Sequence, residues 1–327
     1  LLSSFSACKR NLIDGNLAVL PTETVYGLAA NGYNPNAVGK IFQLKGRPAT
    51  NPVILHITGI EDAYALANVS PIALKLANKF WPGPLTLLLK KKESVPSIVT
   101  ASLETVALRS PLNKIFRRML AELPFPLAAP SANPSNRTSP TTAEQVVEMF
   151  GKNCPPVFDG GQTVLGIEST VVDLTSKIPT ILRPGHVTAL EIEECLSCYV
   201  SININEITPG TSPQKSPGSH KKHYSPKTPT ILHLSIENCV KSNDIDKDDL
   251  VFVYSLEEAE KFKDLECTTW CLSKNGNCEE IAHSLFKTLH KADNENFSKI
   301  HLILLAESDG LTLAINDRIA RACGKAH

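Results

Sequence analysis

The chain has 327 residues, 42% hydrophobic and 20% charged, which is ordinary globular composition with material for about two domains and excludes collagen-like, coiled-coil and disordered chains. Thirty-three basic residues balance thirty-three acidic ones, which excludes the overall basic character of many nucleic-acid binders, though not a local basic patch. No apolar run approaches the roughly 20 residues of a membrane helix.

In chain order, residues 16–21 and 52–57 read as strands. Between them Ala37, Val38, Ile41, Phe42 and Leu44 recur at helical spacing behind Pro35. Residues 71–80 read as a helix stopped by Trp81-Pro82-Gly83-Pro84, 85–90 and 105–109 as strands, 112–123 as a helix, and 125–130 as an extended run into a polar loop. Thr142 with Gln145 and Thr188 with Glu191 are capping-box pairs opening further helices, with short strands at 169–174 and 180–182 between them. Helices and strands do not alternate here, so an α+β mixed sheet is expected over residues 1–206. Residues 207–236 contain no acidic residue but hold Pro209, Pro213, Pro217, Pro226 and Pro229 with Lys215, Lys221, Lys222 and Lys227. This composition reads as a semi-rigid connector over 207–229. After it strands (230–234, 250–254, 268–272, 300–305) alternate with helices (256–262, 279–289, 312–323), the rhythm of a small parallel α/β domain over 230–327.

Nine cysteines, an odd number without dense spacing, favour reduced thiols in a cytosolic protein. Residues 1–10 hold Cys8, Lys9 and Arg10 but no full signal peptide. A cytoplasmic location is expected, with an organelle left open because the chain starts without methionine. Cys195-x-x-Cys198 is a lone pair, and Cys267, Cys271 and Cys278 near His283 lack paired zinc spacing, so no metal site from protein cysteines is expected. Neither standard phosphate loop is present, nor the metalloprotease or nucleophile-elbow motif.

Three segments carry chemistry. Leu20 opens L-P-T-E-T-V-Y-G-L-A-A-N, where Thr22 and Thr24 put two hydroxyls at a strand end; its plain reading is a capped strand-to-helix turn. K-G-R-P follows at Lys45, then T-N-P at Thr50 and His56. One basic residue after a helix would only offset its dipole. Lys45 and Arg47 together, on a Gly-Pro-fixed loop with Asn51 nearby, also suit an anion clamp. A-A-P-S-A-N-P-S-N-R-T-S-P at Ala128, then G-I-E-S-T-V-V-D at Gly166 and L-R-P-G at Leu182, add hydroxyls, amides and Arg183. With no Ser/His/Asp or Cys/His set beside them, the chemistry expected is transfer at phosphorus, where positioning and charge stabilisation dominate.

Together these motifs resemble the threonylcarbamoyl-AMP synthase family: P-T-E-T-V-Y-G-L-A, K-G-R-P, N-P-x-x-x-H at Asn51, S-A-N at Ser131, G-I-E-S-T and L-R-P-G. S-P-G-S-H-K-K-H-Y-S-P at Ser216 looks like the connector of its two-domain form, and N-D-R-I-A-R-A at Asn316 like its C-terminal helix. The resemblance implies a twisted α+β domain with a concave basic groove, followed by a Rossmann-like α/β domain. It implies synthesis of L-threonylcarbamoyl-adenylate and pyrophosphate from L-threonine, bicarbonate and ATP with Mg2+. The product feeds a downstream threonylcarbamoyl-transfer complex that modifies tRNA beside the anticodon, and weak direct tRNA contact and no membrane partner are expected. By motif match Thr24, His56, Arg109 and Ser169 resemble the threonine-holding positions. Arg47, Asn51, Thr105, Ser131, Ser139 and Arg183 resemble the nucleotide-binding ones, with Asn133 completing the polar cluster and Lys45 and Arg47 the catalytic cations. The family's connector folds over the site, which makes His223 and Tyr224 lid residues here. Ser219, His220 and Lys221 depart from the usual Met, Lys and Tyr. The alternative reading is an RNA-binding module that uses the same groove without synthesis.

Overall fold

The computed structural model describes residues 2–203, 223–306 and 310–324. The expected connector residues 207–222, with Lys215, Ser219, His220, Lys221 and Lys222, lie outside the described residues.

The first unit runs α1 (Phe5–Ile13), β1 (Ala18–Pro21), β2 (Tyr26–Asn31), α2 (Pro35–Lys45), β3 (Leu55–His56), α3 (Ile60–Leu66), α4 (Pro71–Phe80), β4 (Leu85–Lys90) and β5 (Thr105–Arg109). It continues with α5 (Lys114–Ala121), β6 (Leu127–Ala128), α6 (Ala143–Phe150), β7 (Thr170–Asp173), β8 (Thr180–Arg183), α7 (Ala189–Leu196) and β9 (Ser201–Ile202). Among the described residues these strands form one nine-stranded sheet in the order β1-β2-β6-β3-β5-β4-β7-β8-β9. It is mixed: β3/β5, β4/β7 and β8/β9 are parallel and the other neighbours antiparallel. Alternation along β1 divides the core. Val19 faces a large cluster with α2, α3, α4 and α6, while Ala18 and Leu20 face a smaller one under α1 and α5.

The second unit holds β10 (Thr230–His233), α8 (Ile236–Val240), β11 (Leu250–Val253), α9 (Leu256–Glu260), β12 (Thr268–Cys271), α10 (Cys278–Ala292), β13 (Ile300–Ile303) and α11 (Gly310–Ala322). Its sheet is all parallel, in the order β10-β13-β11-β12, as the strand–helix rhythm requires.

Two expectations are corrected. P-T-E-T-V-Y-G-L-A-A-N does not turn into a helix: the Thr22 hydroxyl accepts the Thr24 and Val25 amides at 3.1 Å each, which closes a tight turn and lets β2 pair back on β1. The strand expected at 52–57 pairs only over Leu55–His56, because the preceding residues shape a loop around Arg47. Gly166, at φ +81°, approaches α10 so closely that a Cβ would lie 2.4 Å from the Ala282 carbonyl. Glycine there serves both the left-handed conformation and the contact between the two units.

Candidate active site

Lys45 ends α2 and is followed by Gly46 at φ +60°, a left-handed cap that returns the chain so that the Arg47 amide donates to Phe42 O at 3.0 Å. Lys45 Nζ reaches across to the loop after β6, donating to Ser131 O at 2.6 Å and Asn133 O at 2.5 Å. Arg47 Nε donates to Asn51 O at 3.0 Å, and its Nη2 to Asn51 Oδ1 at 2.5 Å and Pro52 O at 2.6 Å. Arg183, at the end of β8, donates from Nε to Ser169 O and from Nη2 to Ser169 Oγ, both at 3.0 Å. All three cations line one pocket with Glu168, yet are buried, at 4%, 8% and 7% exposure. Burial, then the charge of Arg47, holds Lys45 well below its ordinary value, and burial, then Arg183, brings Arg47 down to about 9. Burial likewise lowers Arg183. Crowded, desolvated cations of this kind are relieved by an anion between them.

The other wall is built on β3 and β5, which pair in parallel with His56 opposite Arg109. Arg109 Nη2 meets Glu23 Oε1 at 2.6 Å, with both side chains 5% exposed, and Glu23 Oε2 accepts the Leu112 amide at 3.0 Å. The Thr22 and Thr24 hydroxyls lie 2.8 Å apart at the same pocket. Burial, then the Arg109 charge, pushes His56 down to about 3, so it is neutral at pH 7. Its folded pKa lies below the unfolded value near 6.5. The unfolded chain therefore binds the extra proton, and stability falls as pH drops from about 6.5 toward 3. Replacing His56 by glutamine should remove up to about 1.4 kcal/mol per pH unit from the acid limb of the stability profile. Denaturant midpoints between pH 7 and pH 4 check this, and an unchanged slope would mean that His56 protonates in place.

The structure gathers most of the expected residues and separates some. Thr24, Lys45, Arg47, His56, Arg109, Ser131, Asn133, Arg183, His223 and Tyr224 all line the pocket. Asn51 and Ser169 stand behind it, holding Arg47 and Arg183, and Ser169 also meets the Thr86 hydroxyl at 2.8 Å. Ser139 is buried and donates to Glu168 Oε1. Thr105 is not brought to the site. It opens β5 opposite Lys90, four residues from Arg109 and so about 13 Å away along an extended strand.

His223 and Tyr224 also line the pocket, which keeps only about 50 Å³ of open space. The His223 amide donates to Arg321 O at 3.2 Å and the Ser225 amide to Asn136 O at 2.9 Å, which ties this segment to both units. Tyr224 takes φ +61°, a conformation costly for a bulky residue. Its ring is fully buried between His223, at 4.0 Å, and Phe286, at 5.2 Å between centroids, while its hydroxyl has no hydrogen-bond partner among the described residues.

Three charged residues were quoted within motifs but assigned no role from sequence: Glu23, Glu168 and Arg318. Arg318 on α11 is fully buried, and its Nε meets Glu168 Oε2 at 3.0 Å while Nη1 meets Asp317 Oδ2 at 2.8 Å. Its guanidinium lies 5.4 Å from the Tyr224 ring centroid. Burial disfavours the Arg318 charge, but Tyr224, Glu168 and Asp317 outweigh it and raise the pKa. The second unit thus fixes a carboxylate of the pocket. Acidic residues inside P-T-E-T, G-I-E-S-T and N-D-R were the signal available, since a buried acid beside an arginine-bearing strand needs a partner.

Residues 10–185 match the family model described as "Telomere recombination", and residues 187–324 match "Threonylcarbamoyl-AMP synthase, C-terminal domain". The chain is 39% identical to the threonylcarbamoyl-AMP synthase of Pyrococcus abyssi, covering 95% of this chain and 91% of that one. It is 36% identical to that of Bacillus subtilis, over 96% and 91%. The crystal structure of Pyrococcus abyssi Sua5 complexed with L-threonine superposes with a TM-score of 0.88 at 36% identity, covering 99% of this chain and 96% of that one. With both family models in tandem and identity of this level along nearly its whole length, the chain belongs to the threonylcarbamoyl-AMP synthase family.

Proposed function

We propose that the protein makes L-threonylcarbamoyl-adenylate and pyrophosphate from L-threonine, bicarbonate and ATP. The observation that carries this is the buried set Lys45, Arg47 and Arg183, three desolvated cations lining one pocket whose opposite wall offers hydroxyls, a neutral imidazole and Arg109. Threonine's amine condenses with bicarbonate to a carbamate, a C–O bond of bicarbonate breaking as water leaves, and a carbamate oxygen attacks the α-phosphorus of ATP as the bond to pyrophosphate breaks. Lys45 and Arg47 hold the triphosphate and offset charge on the leaving group. Thr24, His56 and Arg109 hold threonine, with Arg109 toward its carboxylate. Ser131, Asn133 and Arg183 line the nucleotide side.

The carboxylate that lines the pocket, Glu168, is engaged with Ser139 and Arg318, and Glu23, outside the lining, is engaged with Arg109. The residues therefore suit a Mg2+ that arrives on the nucleotide phosphates, not one caged by protein oxygens. Threonine-dependent release of pyrophosphate from ATP tests the proposal. Nucleic-acid binding without that release would favour the RNA-binding alternative.

In this reading residues 1–206 are the catalytic domain, 207–229 the connector and 230–327 the second domain. Calling the second domain Rossmann-like rests on its parallel sheet and alternating helices. Its order, with the last strand inserted between the first and the second, differs from the 3-2-1-4-5-6 order of the dinucleotide-binding fold, and we read it as a brace for Glu168, not a nucleotide site. The product passes to a threonylcarbamoyl-transfer complex acting on tRNA.

His223 and Tyr224 act as the lid. The space they leave, about 50 Å³, is far below the roughly 300 Å³ of a small ligand site, so the nucleotide enters only when they move out. Because Tyr224 packs on Phe286, alanine there would also cost core packing, and the gentler pair is His223→Gln with Tyr224→Phe. This pair is expected to raise hydrolysis of the labile adenylate and lower the yield of intact product. Unchanged product lifetime would reduce the segment to a tether.

A further inference from the structure

The second domain holds a polar cluster that the pocket does not use. In β10 and β13 the register sets Ile231 opposite His301 and His233 opposite Ile303, so both imidazoles stand on one face of the parallel sheet. His233 Nε2 lies 2.8 Å from His301 Nδ1. Helix α8 packs against β10 and β13 and brings Cys239. One nitrogen of each histidine and the Cys239 sulfur then lie within 4.8 Å of one another. Cys239 and His301 are fully buried and His233 is 7% exposed.

Two features set this cluster apart from a pair of satisfied core histidines. His301 Nε2 lies 3.1 Å from Asp249 Oδ2, with both residues fully buried. The carboxylate keeps the proton on Nε2 and turns the Nδ1 lone pair toward His233 and Cys239, the arrangement in which histidines commonly bind metals. The second Asp249 oxygen, Oδ1, is buried without a hydrogen-bond partner among the described residues, so the group that orients His301 has unspent capacity as its ring becomes more positive. The thiol is the complementary donor.

We propose that His233, Cys239 and His301 form a buried binding site for a zinc-class transition-metal ion, oriented by Asp249. Two imidazoles, one thiolate and an open fourth position suit Zn2+ better than a hard, oxygen-seeking cation. On binding, the S–H bond of Cys239 breaks and its proton leaves to solvent. The His233 proton shifts from Nε2 to Nδ1, and three metal–ligand bonds form without any change of oxidation state. Tetrahedral bonds of about 2.0 Å would hold the two nitrogens about 3.3 Å apart, so the rings separate by roughly half an ångström. The sequence hides the site because its ligands come from two strands and a helix that only parallel pairing brings together.

Cobalt(II) titration of the chelator-treated full chain tests this, since a cobalt–thiolate bond gives an intense near-ultraviolet charge-transfer band that zinc abolishes. One equivalent per chain with that band, and its loss in Cys239→Ser, is the expected result. Asp249→Asn should weaken binding about 10- to 100-fold, and threonine-dependent pyrophosphate release by Cys239→Ser should match the parent. Absence of the band in the folded parent chain would overturn the site and leave a proton-sharing His–His–Asp network. So would a band persisting at full strength in Cys239→Ser, which would put the ion on other thiols. His301→Gln gives the same reading if Cys239→Ser does not fold.

Discussion

Arg47→Ala should lower turnover about a hundredfold or more, the loss that follows removal of a preorganised charge contact at a reacting group. Nε and Nη2 of Arg47 are spent on the 51–52 loop, and the residue also lines the pocket. The substitution therefore removes a phosphate contact and also loosens the loop. Arg47→Lys separates the two effects: it keeps a charge but not the planar fork that grips both Asn51 and Pro52. Asn51→Ala frees the guanidinium without removing it, and should cost less than Arg47→Ala. Pyrophosphate release at saturating ATP and threonine gives the comparison. Near-parent turnover in folded Arg47→Ala would remove Arg47 from the chemistry.

Arg109→Ala should abolish threonine saturation while leaving the KM for ATP within a few-fold of the parent. The structure adds a complication that the motif did not show. Arg109 is already paired with buried Glu23 at 2.6 Å, and stripping one partner from such a pair costs about 3–5 kcal/mol, because the other charge is left buried and alone. Loss of activity in the single variant would therefore mix binding with folding. The double variant Glu23→Gln with Arg109→Met removes both charges and should regain most of the lost stability. It should still fail to saturate with threonine, because no cation remains for the carboxylate. Recovery of threonine saturation in the double variant would show that Arg109 serves only to neutralise Glu23.

Local rules were enough for much of this molecule. The capping boxes at Thr142 and Thr188 form as their spacing demands, since each is satisfied within one helical turn. Pro35, the periodic residues to Leu44 and Gly46 define α2 and its left-handed cap, and so fix where Lys45 and Arg47 emerge. The strand–helix rhythm after the connector specifies a parallel sheet because short loops and crossover helices leave no other pairing. The family resemblance brought Thr24, Lys45, Arg47, His56, Arg109, Ser131, Asn133 and Arg183 into one candidate site, and they line one pocket. Only the tertiary structure decided the electrostatics of that pocket. Glu23 finds Arg109 across 86 residues and Glu168 finds Arg318 across 150, and no local pattern encodes a partner at such distance. The same limit kept Thr105 in the expected site and hid the His233–Cys239–His301 cluster. A strand's sequence shows which residues share a face, but not which end of the strand meets the pocket or which helix lies across it.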